Sequence, residues 1–417
     1  MNIYFSGVGG VGVGPLAEIA QDAGYGVQGS DRTESLTTRE LRSRGIPVNI
    51  GQDGEFLQSC HESQPIDWFV YTSALPKDHP ELVLARQLGI KTAKRDELLT
   101  YIIADKNLKL IAVAGTHGKT TTTGMMIWTL QELGIPVSYS VGTTLSFGPS
   151  GKYNPDSEYF VYECDEFDRN FLHFSPNVAL ITSLGYDHPD TYPTEGAYRE
   201  AFMQFITQST QTIMWQYDSN AFRNPPLRSW TLQDNEAVHI PLAGAHNRRN
   251  ATLVMKALEF LHLTTNENAL DILSRFPGTD RRFEKLADNV YSDYGHHPSE
   301  IAATLQMARE LSEHVTLVYQ PHQNVRQHEI KAHYTDCFML AEEVFWLPTY
   351  LSREDPALPI LTPDDLIRDI ANKDVITIAE LDDALWEHIE DARAKGNLVL
   401  AMGAGSIDAW LRSHIKN

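Results

Sequence analysis

Cysteine is scarce: the 417-residue chain has three, Cys60, Cys164 and Cys337. They are far apart, odd in number and form no Cys-x-x-Cys. That argues against a disulfide framework or a cysteine-based zinc site and favours a reducing compartment. Long apolar runs are also lacking. None approaches the roughly 18 residues of a membrane-spanning helix, and no basic leader precedes the first apolar run, so no membrane span is expected and the protein reads as cytoplasmic. Basic residues are outnumbered, 34 Lys and Arg against 55 Asp and Glu, for a net charge of −21. Such a surface repels nucleic acid and acidic membranes. An anionic substrate would therefore need local positive elements, such as glycine-loop amides, a helix N-terminus or isolated Lys and Arg.

What is present is a repeated strand–loop–helix pattern. Ile3-Tyr4-Phe5 opens a short buried strand, followed by Gly7-x-Gly9-x-x-Gly12 and a helical stretch through Leu16–Ala20. Val27–Asp31 reads as a second strand, and Asp31 lies nineteen residues after Gly12. Taken alone, that arithmetic is a dinucleotide-binding fingerprint, and an NAD(P) oxidoreductase is its default reading. Trp68–Ser73 is another strand. A fresh start follows at Lys109–Gly115, with a long helix over Thr120–Leu133 and strands at Tyr159–Glu163 and Val178–Thr182. A third unit begins near Gly278, with strands at Val290–Tyr294, Val315–Tyr319 and Leu398–Met402. Alternating strands and helices predict parallel sheets in an α/β fold. The borders fall near 107 and 278.

The strongest local signal is Gly115-Thr116-His117-Gly118-Lys119-Thr120, one residue tighter than a standard P-loop. Its glycines let backbone N–H groups converge on phosphate oxygens at a helix N-terminus. Lys119 can reach the β- and γ-phosphates, and the Thr120 hydroxyl can ligate Mg²⁺. With a nucleoside triphosphate bound here, the first glycine loop is free to hold a different diphosphate by the same backbone physics.

Eleven short runs in chain order then resemble the Mur ligase family. Among them are Gly7–Gly12, Gly29-Ser30-Asp31, Thr72-Ser73-Ala74, Gly115–Thr121, Glu163–Asp168, Asp187–Tyr192, His246–Asn250, Arg281–Glu284, Asp293–Pro298, Gln320-Pro321-His322 and Gly403-Ala404-Gly405. The resemblance covers essentially the whole chain and is nearest the alanine-adding branch, with the peptide-recycling branch second. It implies three domains: a Rossmann-like domain (1–107) binding a UDP-sugar, a P-loop-type central ATPase domain (108–278), and a Rossmann-like C-terminal domain (279–417) binding the amine. It implies a cytoplasmic enzyme of peptidoglycan precursor synthesis, monomer or homodimer. Its substrates would be ATP, UDP-N-acetylmuramate and L-alanine or a short peptide, with Mg²⁺ as cofactor.

By the same resemblance, Thr120, Glu163 and His188 hold the metal, and Gly115, Thr116, His117, Gly118, Lys119, Thr120 and Thr121 cradle the triphosphate. Glu163 ends a predicted strand and His188 follows another, where ligands gather in parallel α/β sheets. Asn247 and Asn250 resemble an adenine-reading turn, although helix capping is their ordinary use. Arg282 and Asp293 resemble nucleotide contacts. His297 and Arg326 resemble groups near the acyl phosphate and the amine. Gly9, Gly10, Val11, Gly12, Ser30, Asp31 and Ser73 resemble UDP-sugar contacts.

Four departures stand out. No lysine lies between Lys152 and Lys256, so the carbamylated-lysine metal ligand of several family members is absent. Gln323 stands where the alanine-adding branch has an arginine, leaving Arg326 alone to pair a carboxylate bidentately. The segment Trp215–Pro241 is short, with room for a couple of strands, and Thr182–Tyr186 replaces a run that usually contains Asn and Glu.

Overall fold

Three sheets organise the chain in this computed structural model, which describes residues 1–10, 12–72, 75–188, 190–222, 229–352 and 354–415. The first sheet has strands β1 (Asn2–Ser6), β2 (Gly26–Asp31), β3 (Val48–Ile50), β4 (Trp68–Tyr71) and β5 (Lys91–Lys94), in the order β3-β2-β1-β4-β5. All its pairings are parallel. The second has β6 (Lys109–Ala114), β7 (Val137–Ser140), β8 (Gly151–Lys152), β9 (Tyr159–Glu163), β10 (Val178–Ile181), β11 (Gln211–Trp215) and β12 (Ser229–Leu232), in the order β12-β11-β10-β6-β9-β7-β8. Only its β7–β8 edge is antiparallel. The third has β13 (Glu284–Ala287), β14 (Val290–Asp293), β15 (Val315–Tyr319), β16 (Glu343–Trp346), β17 (Ile376–Ile378) and β18 (Leu398–Met402), in the order β13-β14-β18-β15-β16-β17. Its antiparallel edge is β13–β14.

The class read from the sequence, α/β with parallel-rich sheets, is the class observed. The central strands explain why. β6, β10, β15 and β18 are rich in Val, Ile, Leu and Ala and buried along nearly their whole length. A strand covered by helices on both faces has that composition.

The chain forms two compact units. One holds Met1–Ala237 and Ala251–Phe276, with the first two sheets; the other holds Val238–Asn250 and Pro277–Asn417, with the third. In each of the first two sheets the strand order reverses beside the strand that feeds a glycine loop. β1 lies between β2 and β4, and β6 lies between β10 and β9. The crevice at such a reversal, beyond the strand C-termini, is where open α/β sheets take ligands.

Local boundaries differ from the sequence reading by a residue or two at several elements. β4 ends at Tyr71, two residues before the predicted end, and Ser73 itself lies outside the described residues. The short segment after Trp215, with room for a couple of strands at most, holds one, β12, among its described residues; part of its length forms the helix Gln216–Ser219 and the 3₁₀ turn Asp234–Glu236. Among the described residues, no helix is long and apolar enough to cross a membrane.

Candidate active site

The second glycine loop leaves β6 and enters the helix Lys119–Glu132, whose N-cap, Gly118, has φ +83°. Gly115 has φ +136°, and a Cβ there would lie 2.3 Å from Thr182 Oγ1. Only glycine fits that position. The helix start brings N–H groups that no α-helix bonds internally.

Lys119 is folded over its own loop. Its Nζ donates to the Gly115 carbonyl at 2.6 Å and to Glu166 Oε2 at 2.8 Å. Burial works against the charge on this ammonium, but the Glu166 and Asp165 carboxylates outweigh it and hold the group above the ordinary lysine range. Glu166 itself is fully buried; burial pushes its carboxyl up and Lys119 offsets part of that push. The Lys119 ammonium thus stays protonated against this buried carboxyl.

Thr120 and Glu163 meet directly. The Thr120 hydroxyl donates to Glu163 Oε1 at 2.7 Å, while Glu163 Oε2 accepts from Gly142 N at 2.7 Å. His188 has φ +57°, rare for a non-glycine residue. Its Nε2 lies 3.7 Å from Glu166 Oε1 and 3.9 Å from Asp187 Oδ2. Its ring meets Phe167 edge-on. Asp165, Glu166 and His188 can bring one ligand atom each within 4.8 Å of one another. A hydroxyl and a carboxylate already in contact, beside a second cluster of carboxylates, are the hard oxygen donors that Mg²⁺ takes. The residues present therefore fit that ion.

The Thr182–Tyr186 run, a departure with no evident reason in the sequence, braces the second glycine loop. Thr182 Oγ1 donates to the His117 carbonyl, Ser183 Oγ accepts from His117 N at 2.9 Å, and Gly185 N donates to Thr116 Oγ1 at 2.8 Å. Small hydroxyl side chains at 182 and 183 do this at short range, where longer side chains would crowd Gly115.

At the first loop, Gly7 has φ +80°, and its N–H and that of Val8 donate to the Ser30 carbonyl. Asp31 Oδ2 accepts from Gly9 N at 2.8 Å. Gly10 N donates to the Gly7 carbonyl. The Ser30 side chain, however, is fully buried and donates to Glu81 Oε2 at 2.8 Å, so Ser30 shapes the loop from beneath through its carbonyl. A Cβ on Gly12 would lie 2.8 Å from Arg95 Nη1. That guanidinium, paired with Asp96 at 3.0 Å, is a cation beside the loop that the sequence reading missed; Lys94-Arg95 at the end of β5 was its one local signal. Val11 lies outside the described residues.

In the second unit, the Asn247 amide donates to the Ala243 carbonyl at 3.0 Å and to Met307 Sδ at 3.2 Å. Asn250 is buried. Arg282 lies over the Tyr294 ring, 5.1 Å from its centroid. Asp293 is buried and accepts from Phe283 N at 2.8 Å and Gly295 N at 2.7 Å; burial raises its carboxyl to about 6. His297 caps the helix Pro298–Leu311, its Nδ1 accepting from Ser299 N. Its neighbour His296, which the sequence reading passed over, is the imidazole beside Arg326: Arg326 Nη1 donates to His296 Nε2 at 3.0 Å. Gln323 donates to Ser352 Oγ at 3.3 Å.

Three family models match the chain in order: "Mur ligase family, catalytic domain" over 2–107, "Mur ligase middle domain" over 113–229, and "Mur ligase, glutamate ligase domain" over 281–405. A UDP-N-acetylmuramate–L-alanine ligase of Mycolicibacterium smegmatis is 31% identical, the match covering 97% of this chain and 92% of the relative. One from Mesorhizobium japonicum is 30% identical over 98% of this chain and 96% of the relative. Among solved structures, the UDP-N-acetylmuramate-alanine ligase of Thermotoga maritima shares the fold, with TM-score 0.76, 24% identity and coverage of 100% of this chain and 98% of that one. A murein peptide ligase of Psychrobacter arcticus follows at TM-score 0.66 and 22% identity, covering 100% and 98%. Two glycine loops at two sheet reversals, three family models matched in chain order, and relatives covered over more than nine-tenths of their length have one explanation: the chain belongs to the Mur ligase family.

Proposed function

We propose that the chain is an ATP-dependent ligase that joins L-alanine to the lactyl carboxylate of UDP-N-acetylmuramate, in the cytoplasm, as a monomer or homodimer without nucleic-acid or membrane partners. The observation that carries this reading is the Thr120–Glu163 contact beside the charged Lys119, in a chain whose full-length relatives bear the name of that ligase. Residues 1–107 hold the sugar nucleotide, 108–278 the ATP and 279–417 the amine.

The first step joins two anions, so it needs cations and fixed alignment. A lactyl carboxylate oxygen bonds to the γ-phosphorus, and the bond from that phosphorus to the bridging oxygen of ADP breaks. Lys119 neutralises phosphoryl oxygens, and the loop amides from Gly115 to Thr121 orient them. Mg²⁺, held by Thr120, Glu163 and His188, supplies further neutralisation when bound. In the second step the amine nitrogen, having lost one proton, attacks the acyl carbon. The carbon–oxygen bond to phosphate breaks, phosphate leaves, and the nitrogen sheds its second proton to give the amide. Arg326 pairs the carboxylate of the incoming amino acid, and His297 lies on the same stretch as its partner His296. The Asp31-braced loop and Arg95 face the diphosphate of the sugar nucleotide.

The test is phosphate release with ATP, Mg²⁺ and UDP-N-acetylmuramate against a panel of L-alanine, L-serine, glycine and L-Ala-γ-D-Glu-meso-diaminopimelate. L-Alanine gives the highest kcat/KM. A preference for the tripeptide assigns the chain to peptide recycling instead, and NADH binding at the first loop without phosphate release would sink both.

A further inference from the structure

The third sheet carries a polar chain inside its core. Tyr319 on β15, Tyr334 and Gln327 are all fully buried. The Tyr319 hydroxyl donates to the His296 carbonyl at 2.8 Å and lies 2.7 Å from the Tyr334 hydroxyl. Tyr334 donates to Gln327 Oε1 at 2.7 Å, and Gln327 Nε2 donates to the His322 carbonyl at 3.0 Å. The chain thus starts on the backbone of one histidine and ends on that of another. Their rings lie 5.4 Å apart.

Around those rings the polarity is set. A guanidinium only donates, so His296 Nε2 accepts from Arg326 and the ring proton sits on Nδ1, which faces the Tyr294 carbonyl at 3.2 Å. The His296 imidazole is therefore a neutral acceptor that orients Arg326. Burying two hydroxyls and an amide among aromatic rings gains little net stability over apolar groups of the same shape. A chain that ends on the backbones of two neighbouring histidines, one of whose rings accepts from Arg326, has a positional use instead.

We propose that Tyr319, Tyr334 and Gln327 form a buried positioning element, which fixes the His296 and His322 backbones and so aims Arg326 at the carboxylate of the incoming amino acid. This rests on the reading of Arg326 given above. Tyr319 is the decisive member. Two hydroxyl protons serve three oxygen–oxygen contacts, so loss of the Tyr334 hydroxyl leaves Tyr319 donating to His296, whereas loss of the Tyr319 hydroxyl removes that bond outright.

The experiment compares Tyr319→Phe and Tyr334→Phe with the wild-type full chain. It measures KM for L-alanine, ATP and UDP-N-acetylmuramate, kcat, and the acyl phosphate trapped as a hydroxamate by hydroxylamine without added amino acid. Tyr319→Phe raises the amino-acid KM about tenfold, as a misaimed charged hydrogen bond does. It leaves kcat, the other two KM values and the hydroxamate yield within about twofold, and Tyr334→Phe, which keeps the Tyr319–His296 bond but loses the link to Gln327, raises the amino-acid KM by less. An unchanged amino-acid KM in Tyr319→Phe, or a parallel rise in all three KM values, overturns the inference while the functional reading stands. No hydroxamate from the wild type overturns the functional reading, and the inference with it.

Discussion

Thr120 and Glu163 are 43 residues apart in sequence, yet their side chains meet at 2.7 Å where the phosphate loop faces the end of β9. Parallel pairing of β6 with β9 makes this so. The register sets Val113 opposite Glu163, so the carboxylate emerges level with the loop. Glu163→Gln keeps the shape and removes the charge. We expect Mg²⁺ affinity, measured by Mn²⁺ titration with a non-hydrolysable ATP analogue, to fall about 10–100-fold with little change in melting temperature. A metal requirement within twofold of wild type would remove Glu163 from the metal shell.

Lys119 has a different task. With Lys119→Ala, ADP formation stops while UDP-sugar binding, followed calorimetrically, persists. The two glycine loops lie at different sheets, so one substitution should not silence both. Loss of sugar-nucleotide binding in this variant would show that the sites are not separate.

The φ of +57° at His188 is a cost that a functional position tolerates. Asparagine enters that conformation more readily. His188→Asn should therefore gain up to about 1 kcal/mol of stability while phosphate release falls sharply. A variant that is less stable than wild type, or as active, contradicts this account of the loop.

Acid sensitivity has an assignable source in His246. Among the described residues its buried Nδ1 has no hydrogen-bond partner, and burial lowers its pKa from 6.5 to about 4, with Glu310 opposing and Arg248 adding. A depressed folded value means the unfolded chain takes up the proton first. Stability contributed by this group is complete above pH 6.5 and is lost as pH falls through about 4. The loss amounts to about 3 kcal/mol across that window. Thermal melts of His246→Gln should show a correspondingly shallower decline between those pH values; an identical decline assigns the acid sensitivity elsewhere.

Much of the site is legible in the sequence because its chemistry is local. Glycines at 115 and 118, then Lys119 and Thr120, announce a phosphate loop, since strand, turn and helix start lie within a dozen residues. What escapes a sequence reading is set by tertiary packing. Glu166 becomes the lysine's partner only once β9 lies beside β6. Arg95 reaches Gly12 from 83 residues away. Ser30 has the right neighbours for a ligand contact, yet its hydroxyl turns inward to Glu81, because strand alternation points successive side chains to opposite faces. Asn247 lies in the first turn of the helix Ala245–Phe260, where its amide bonds back to the Ala243 carbonyl and meets Met307 Sδ. After β14, two adjacent histidines are indistinguishable in sequence; the helix cap claims His297, while the His296 ring meets Arg326.

The central claim is that the sugar-nucleotide carboxylate is phosphorylated before the amide forms. UDP-N-acetylmuramate labelled with ¹⁸O in its lactyl carboxylate tests this directly, read by the ³¹P isotope shift of released phosphate. Transfer of one labelled oxygen to each phosphate is the predicted result, because the carbon–oxygen bond breaks in the second step; unlabelled phosphate accompanying amide formation would contradict the account.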